Sequence, residues 1–277
     1  MRRLLTWFIV PLLGLIGATA TTGAPAAREL DTIRVVSLNL AMREDVERIV
    51  SDLAAVGAAD TSDLVLLQEV VQRERRPSVS RQLGERLGLD SMFREAFTLD
   101  DGRSVGLAVL SRHPWHDVRV IELKRFDLGF RSRTRIALVA AVNTPAGRIL
   151  VSNVHLDSRI NLDQRLDQLA AVVSDVQAFD GPAVVAGDFN TNNNRWIFHT
   201  IPFPFIERQA AGLRGYMERT GFSSAFDGSS PTHDALGMQL DWVFVRGLQA
   251  SAASVYPVGV SDHHALLVSL APVHGAL

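Results

Sequence analysis

Short apolar runs alternate along this chain with segments whose apolar residues recur at helical spacing. The runs IRVVSLNL (33–40), DLVLLQEV (63–70), VGLAVLS (105–111), RIALVAAVN (135–143), RILVSNVHL (148–156), PAVVAGD (182–188), QLDWVFV (239–245) and ALLVSL (265–270) predict buried strands. Between them, Val46, Ile49, Val50 and Leu53 predict a helix over 43–56. A second helix is predicted over 78–88, ending at Gly88, with two more near 163–178 and 207–220. The T-P-A-G at 144–147 joins its flanking strands as a hairpin. Alternating strands and helices together with hairpins predict mixed sheets covered by helices. No Pro/Gly-rich linker interrupts 28–277, which reads as one domain.

The composition is globular: 47% hydrophobic and 21% charged over 277 residues. The N-terminus departs from it. Arg2 and Arg3 precede the apolar stretch LLTWFIVPLLGLIGATA, small residues follow, and no further charge occurs before Arg28. Residues 1–27 therefore read as a secretory signal, and the protein as exported, to the periplasm or outside the cell. The competing reading is an uncleaved membrane anchor, for which the stretch is short. The chain has no cysteine, which excludes both a lipid-modified cysteine and any disulfide. Without Arg2 and Arg3, 26 basic residues face 30 acidic ones, a net charge of −4. Such a domain has no global attraction for nucleic acid, and any grip must come from local patches.

The polar residues that stand out share one kind of position. Asn39, Glu69, His155, Asp157, Asp188 and Asn190 fall at or just beyond the ends of predicted strands. Asp262 and His263 immediately precede the last strand. Asp241 lies within an apolar strand, where a carboxylate costs several kcal/mol unless paired. His263 is a natural partner. Taken singly, each residue has a plainer reading: an Asx turn for Asp188 and Asn190, a solvated strand end for Glu69, satisfied histidines for His155 and His263. Together they form an inventory of hard oxygen donors, which suits Mg²⁺, Mn²⁺ or Ca²⁺ better than zinc. A cation with carboxylates, histidines and arginines is what hydrolysis of a phosphoester requires.

The segments SLNL, LLQEV, NVHLD, AGDFN, LDWVFV and SDHH occur in this order. On them the chain resembles the endonuclease/exonuclease/phosphatase superfamily, the deoxyribonuclease I-like fold, over roughly residues 31–272. The resemblance implies a four-layer α/β sandwich, two packed mixed sheets flanked by helices. It implies Glu69 as principal metal ligand, helped by Asn39 and Asp262. Asp188 would orient or deprotonate the attacking water, and Asn190 would hold the water or the phosphate. Asp241 would orient His263, which contacts the phosphate as base or charge stabiliser, and His155 would sit near the leaving group. Arg135 resembles a phosphate-contacting arginine of some members, against the plainer reading of a solvated strand-start residue. The stretch KRFDLGFRSRTR (124–135) reads as a solvated loop rather than an anion grip.

The implied activity is that of a divalent-metal-dependent phosphodiesterase, acting as a monomer. Nucleic acid is slightly favoured as substrate, with a phospholipid or an inositol-phosphate-type phosphoester as the alternative. An inactive, binding-only fold member is disfavoured, because no motif is broken. The loop RWIFHTIPFPFIERQ (195–209) is the most individual segment. Core packing is its expected role; if exposed, it would point to membrane contact and a lipid substrate.

Overall fold

The computed structural model describes residues 32–129 and 132–273. The signal or anchor expected over 1–27 lies outside the described residues, and Phe130 and Arg131 of the 124–135 stretch do as well. Among the described residues, no helix is long and apolar enough to cross a membrane.

Two six-stranded sheets are stacked. The first runs β13-β14-β1-β2-β4-β3 and the second β11-β12-β8-β7-β6-β5. In the first, β1 (Ile33–Asn39) pairs parallel to β2 (Leu64–Gln72) and antiparallel to β14 (Ala265–Pro272). It is completed by β3 (Asp90–Thr98), β4 (Ser104–Ser111) and β13 (Leu248–Tyr256). In the second, β7 (Gly147–His155) runs parallel to β8 (Ala183–Asp188), and β12 (Asp241–Arg246) runs antiparallel to β8. The remaining strands there are β5 (Trp115–Glu122), β6 (Ile136–Thr144) and the short β11 (Ser223–Ser224). A separate hairpin joins β9 (Arg195–Ile197) to β10 (Ile201–Phe203).

The strand period of two sorts the apolar residues into layers. Ile33 and Val35, Leu64 and Leu66, Ile149 and Val151, Val184 and Ala186, and Val243 and Val245 meet between the sheets. Their neighbours Val36, Leu38, Val65 and Leu67 pack outward against helices α1 (Val46–Ala55) and α2 (Val79–Leu87). Leu150, Val154, Val185, Trp242 and Phe244 pack against α3 (Leu162–Gln177) and α4 (Gln209–Arg219). The helices begin and end where their capping residues lie. Asp45 and Ser78 accept from the backbone N–H of Arg48 and Arg81, and Gly88 closes α2 in the left-handed conformation, φ 64°. The four-layer α/β sandwich implied by the family resemblance is the observed architecture.

Six strands lie outside the sequence expectation: β3, β5, β11 and β13, and the β9–β10 hairpin. The first four are sheet edges. An edge strand with an exposed face carries little of the apolar signal that marks a buried one. A second difference concerns Asp241, which opens β12 rather than interrupting a strand.

Candidate active site

The inward-facing line of each central strand is apolar in the middle and turns polar at one end. After Ile33 and Val35 come Ser37 and Asn39; after Leu64 and Leu66 comes Gln68; after Ile149 and Val151 come Asn153 and His155. Val184 and Ala186 lead to Asp188, and Val245 and Val243 lead back to Asp241, its register partner. Parallel pairing of β1 with β2 and of β7 with β8 puts these ends on one edge of the sandwich. Antiparallel pairing brings Asp241, and the turn before β14 with Asp262 and His263, to the same edge.

Glu69 reaches this edge through a bulge. Leu67 pairs with Ala108 and Val70 with Gly106, so Gln68 and Glu69 together oppose Leu107. Glu69 sits at φ 53°. The bulge is clamped from the other sheet: Asn153 Nδ2 donates to the carbonyls of Leu67 and Ala108, each at 2.9 Å, while Gln68 Nε2 donates to Asn153 Oδ1 at 2.7 Å. Gly187 lets β7 approach β8, since a Cβ there would lie 2.0 Å from the Val154 carbonyl oxygen.

Asp188 is the hub. Its Oδ2 accepts from Asn39 Nδ2 at 3.0 Å, and its Oδ1 accepts from the Asn190 N–H at 2.8 Å. His155 Nε2 and His263 Nε2 lie 3.5 and 3.9 Å from Oδ2. Asn190, at φ 53°, donates Nδ2 to the Leu156 carbonyl, which leaves its side-chain oxygen and second amide hydrogen for a ligand. His263 Nδ1 meets Asp241 Oδ2 at 2.9 Å, and Thr232 Oγ1 donates to the same oxygen at 2.6 Å. Arg135 is not a solvated strand-start residue. Its Nε donates to Asp157 Oδ1 at 2.8 Å, and its Nη1 lies 3.2 Å from His155 Nε2.

Electrostatics divide these groups by role. Burial, with the Asp241 carboxylate beside it, pushes Asp188 up to about 7. Burial alone would lower His263, but Asp241, Asp188 and Asp262 outweigh it and hold the imidazole up to about 10. His155 is pushed well below its usual value by burial, Arg135 and His263, so it is neutral. Burial raises Glu69, whose side chain keeps a quarter of its surface open to solvent.

The donor set fits a hard divalent cation. Glu69 is a quarter-open carboxylate destabilised as an anion, with Asn39, Asp188 and Asp262 around it. Among the described residues, the buried Asp241 Oδ1 has no hydrogen-bond partner. Asp188, Asp241 and His263 also lie close enough to share an ion. There, however, the imidazolium of His263 already supplies the cation.

The structure brings every residue singled out from the sequence to this one edge, and adds several. Arg165 is fully buried, and burial lowers it to about 10. It donates to the carbonyls of Asp157, Ile160 and Phe189, tying the loops after β7 and β8 together. Gln168 holds Asp157 by both its backbone N–H and Oδ2. The signal for both was a charge and an amide on the buried stripe of α3 that continues to Leu169, Val172 and Val176. Thr232 and His233 carried no signal, because P-T-H-D reads as a turn.

The Endonuclease/Exonuclease/phosphatase family model matches residues 36–263. Among solved structures, the chain is similar to an endonuclease/exonuclease/phosphatase from Beutenbergia cavernae at TM-score 0.69 and 20% identity, covering 87% of this chain and 72% of that one. The human Nocturnin catalytic domain with bound sulfate superposes at 0.64 with 17% identity, covering 88% and 94%. A family protein from Leptotrichia buccalis does so at 0.64 with 16% identity, covering 85% and 98%. With the matched segment spanning both sheets and every residue of the cluster, the chain belongs to the endonuclease/exonuclease/phosphatase family of hydrolases acting on phosphoester bonds.

Proposed function

We propose that the protein is an exported, divalent-metal-dependent phosphodiesterase acting as a monomer. The observation that carries this is a carboxylate base set 3.9 Å from an imidazolium acid: Asp188, pushed up to about 7, faces His263, held up to about 10. Asp188 accepts a proton from water as the water oxygen bonds to phosphorus. The bridging P–O bond breaks, and His263 Nε2–H donates to the leaving oxygen. Arg135 and neutral His155 contact the phosphate, while Asp241 holds the His263 ring in place. Glu69, with Asn39 and Asp262, would hold Mg²⁺ (or Mn²⁺ or Ca²⁺), which supplies charge neutralisation at the phosphate oxygens. Hydrolysis of a chromogenic phosphodiester by residues 28–277, abolished by chelator and by Asp188→Ala, is the expected result. A folded chain silent toward diesters, nucleic acid and phospholipids alike would sink the reading.

On the substrate, nucleic acid and phospholipid both satisfy this chemistry, and one observation favours the lipid. The 195–209 segment does not pack into the core. Phe198 and Phe205 are 85% and 83% exposed, Ile206 is 60% exposed, and Ile201 and Phe203 are open as well. Phe198 and His199 occupy the two positive-φ positions of the turn closed by Thr200 N–H to the Ile197 carbonyl, and Phe205 also has positive φ. Bulky residues are costly there, where Asn and Gly are usual. The arm is braced at its base: Trp196 N–H donates to Asn161 Oδ1, and Arg159 lies over the Trp196 ring. Between Arg195 and Glu207 it carries no formal charge; Arg159 lies at its base, Arg195 and Arg208 flank it in the chain, and Glu207 pairs with Arg195. A strand-binding loop needs cations among its aromatics. An uncharged tip with a cationic collar suits acyl chains beneath anionic headgroups. Co-flotation with phosphatidylglycerol vesicles, reduced about tenfold or more by Phe198→Ser/Phe205→Ser, is expected. Unchanged flotation would return the substrate reading to nucleic acid.

A further inference from the structure

His233 lies beside the cluster just described, and its hydrogen bonds fix its tautomer. The backbone N–H groups of Ala235 and Leu236 both point at Nδ1, at 3.2 and 3.4 Å. Nδ1 is therefore an acceptor, and the neutral ring carries its hydrogen on Nε2. Among the described residues, that Nε2–H meets no protein acceptor at hydrogen-bond distance: the Asp262 carboxylate oxygen Oδ2 is 3.6 Å away.

The ring is placed by backbone. His233 and His263 form an antiparallel bridge. Asp234 N–H donates to the Asp262 carbonyl, and His264 N–H donates to the Thr232 carbonyl. The segment 232–234 is thus strapped along 262–264. Its two side chains serve one centre: Thr232 holds Asp241, and the His233 ring stands edge-on to His263, with centroids 4.9 Å apart and planes at 71°. The His233 side chain keeps 15% of its surface open, against 52% for Asp262. His233, Asp262 and His263 also lie close enough together to hold a cation. The tautomer argues against that use, because a hydrogen occupies the Nε2 lone-pair position a metal would need.

We propose that His233 Nε2–H is a substrate-contacting donor, bonding a phosphate oxygen of the bound phosphoester on the Asp262 side of His263. This rests on the phosphoesterase reading of the site. Two substitutions separate the donor from the other things the ring does. His233→Phe keeps a ring against His263 and loses the donor. His233→Asn keeps an acceptor for the Ala235 and Leu236 N–H groups, as an Asx turn does, and loses the ring and its donor.

Both variants are expected to keep Tm within ~2 °C of the unsubstituted chain. Both should bind inorganic phosphate in Mg²⁺ about tenfold more weakly by calorimetry, and lose roughly 10- to 100-fold in kcat/KM on bis-p-nitrophenyl phosphate. The half-saturating Mg²⁺ concentration should not move. Full phosphate affinity in His233→Phe would reduce the residue to packing, and full affinity in His233→Asn would reduce it to a turn. A raised Mg²⁺ requirement would make it a ligand. Each of these overturns the proposal. So does an ¹⁵N spectrum showing the hydrogen of His233 on Nδ1, a readout that needs no turnover. Diester hydrolysis by the unsubstituted chain tests the phosphoesterase reading separately.

Discussion

The sandwich carries a buried aspartate paired with a histidine at each end, at nearly the same distance. Asp241 Oδ2 lies 2.9 Å from His263 Nδ1, and at the opposite end Asp63 Oδ1 lies 2.8 Å from His113 Nε2. Their surroundings differ. Asp63 Oδ2 accepts the Arg34 N–H at 2.8 Å, so both its oxygens are partnered, one of them by backbone. Arg112 closes the same corner by donating to the carbonyls of Ser62 and Asp60. Among the described residues, Asp241 leaves Oδ1 without a partner and shares its neighbourhood with Asp188 and Asp262. A fully partnered pair fastens the fold. On the proposed function, a pair set amid further carboxylates is what a cation and a phosphate would complete, at a cost to the stability of the protein without them.

The largest expected contrast lies in the carboxylates. Glu69→Ala or Asp188→Asn should lower diester hydrolysis roughly 10³-fold or more with the fold retained. Asp63→Ala should leave kcat of the folded protein unchanged and cost about 2–4 kcal/mol in urea unfolding. Equal activity losses at the two ends would break the comparison. The histidines come next. His263→Gln should cost about 10²–10³ in kcat, and His113→Gln less than about twofold. Thr232→Val removes one of the two donors to Asp241 Oδ2 and should cost roughly fivefold in kcat.

The smallest effect is on stability. The folded state holds the Asp188 proton more tightly than the unfolded chain does, because burial and Asp241 push the carboxyl up to about 7. Ionising it therefore destabilises the metal-free fold as pH rises from the ordinary carboxylate range through about 7. Asp188→Asn should be more stable than the unsubstituted chain at pH 8 in chelator, by roughly 1–3 kcal/mol, with the gap closing toward pH 4. A gap of the same size at both pH values would mean that Asp188 is not strained as an anion.

Much of this was legible before folding. The central strands announced themselves because they are buried on both faces, so apolar residues run almost unbroken through β1, β2, β7 and β8. The edge strands did not: β13, LQASAASVY, is exposed along most of its length and reads as loop. The site residues were legible as polar breaks at strand ends, and the shared motifs ordered them. Arg165 and Gln168 showed only as a charge and an amide on a buried helix stripe, and the roles of these two and of Asn153 were not legible, because each acts through a partner distant in the chain. Asn153 braces a bulge in the other sheet, and Arg165 ties two loops together from a helix.

The apolar arm at 195–209 separates what each level decides. Its composition says only that these side chains avoid water, and core packing satisfies that as well as a membrane does. Whether they meet the core depends on where the base of the hairpin is tied, here to Asn161 ahead of α3, which turns Phe198 and Phe205 outward. The sequence by itself determined the layers, the family and the inventory of acids and bases, because periodicity and residue chemistry are local. Only the tertiary structure decided which aspartate–histidine pair is strained, which tautomer His233 holds and which apolar residues stay wet. Burial, distance and the count of hydrogen-bond partners depend on segments far apart in the chain.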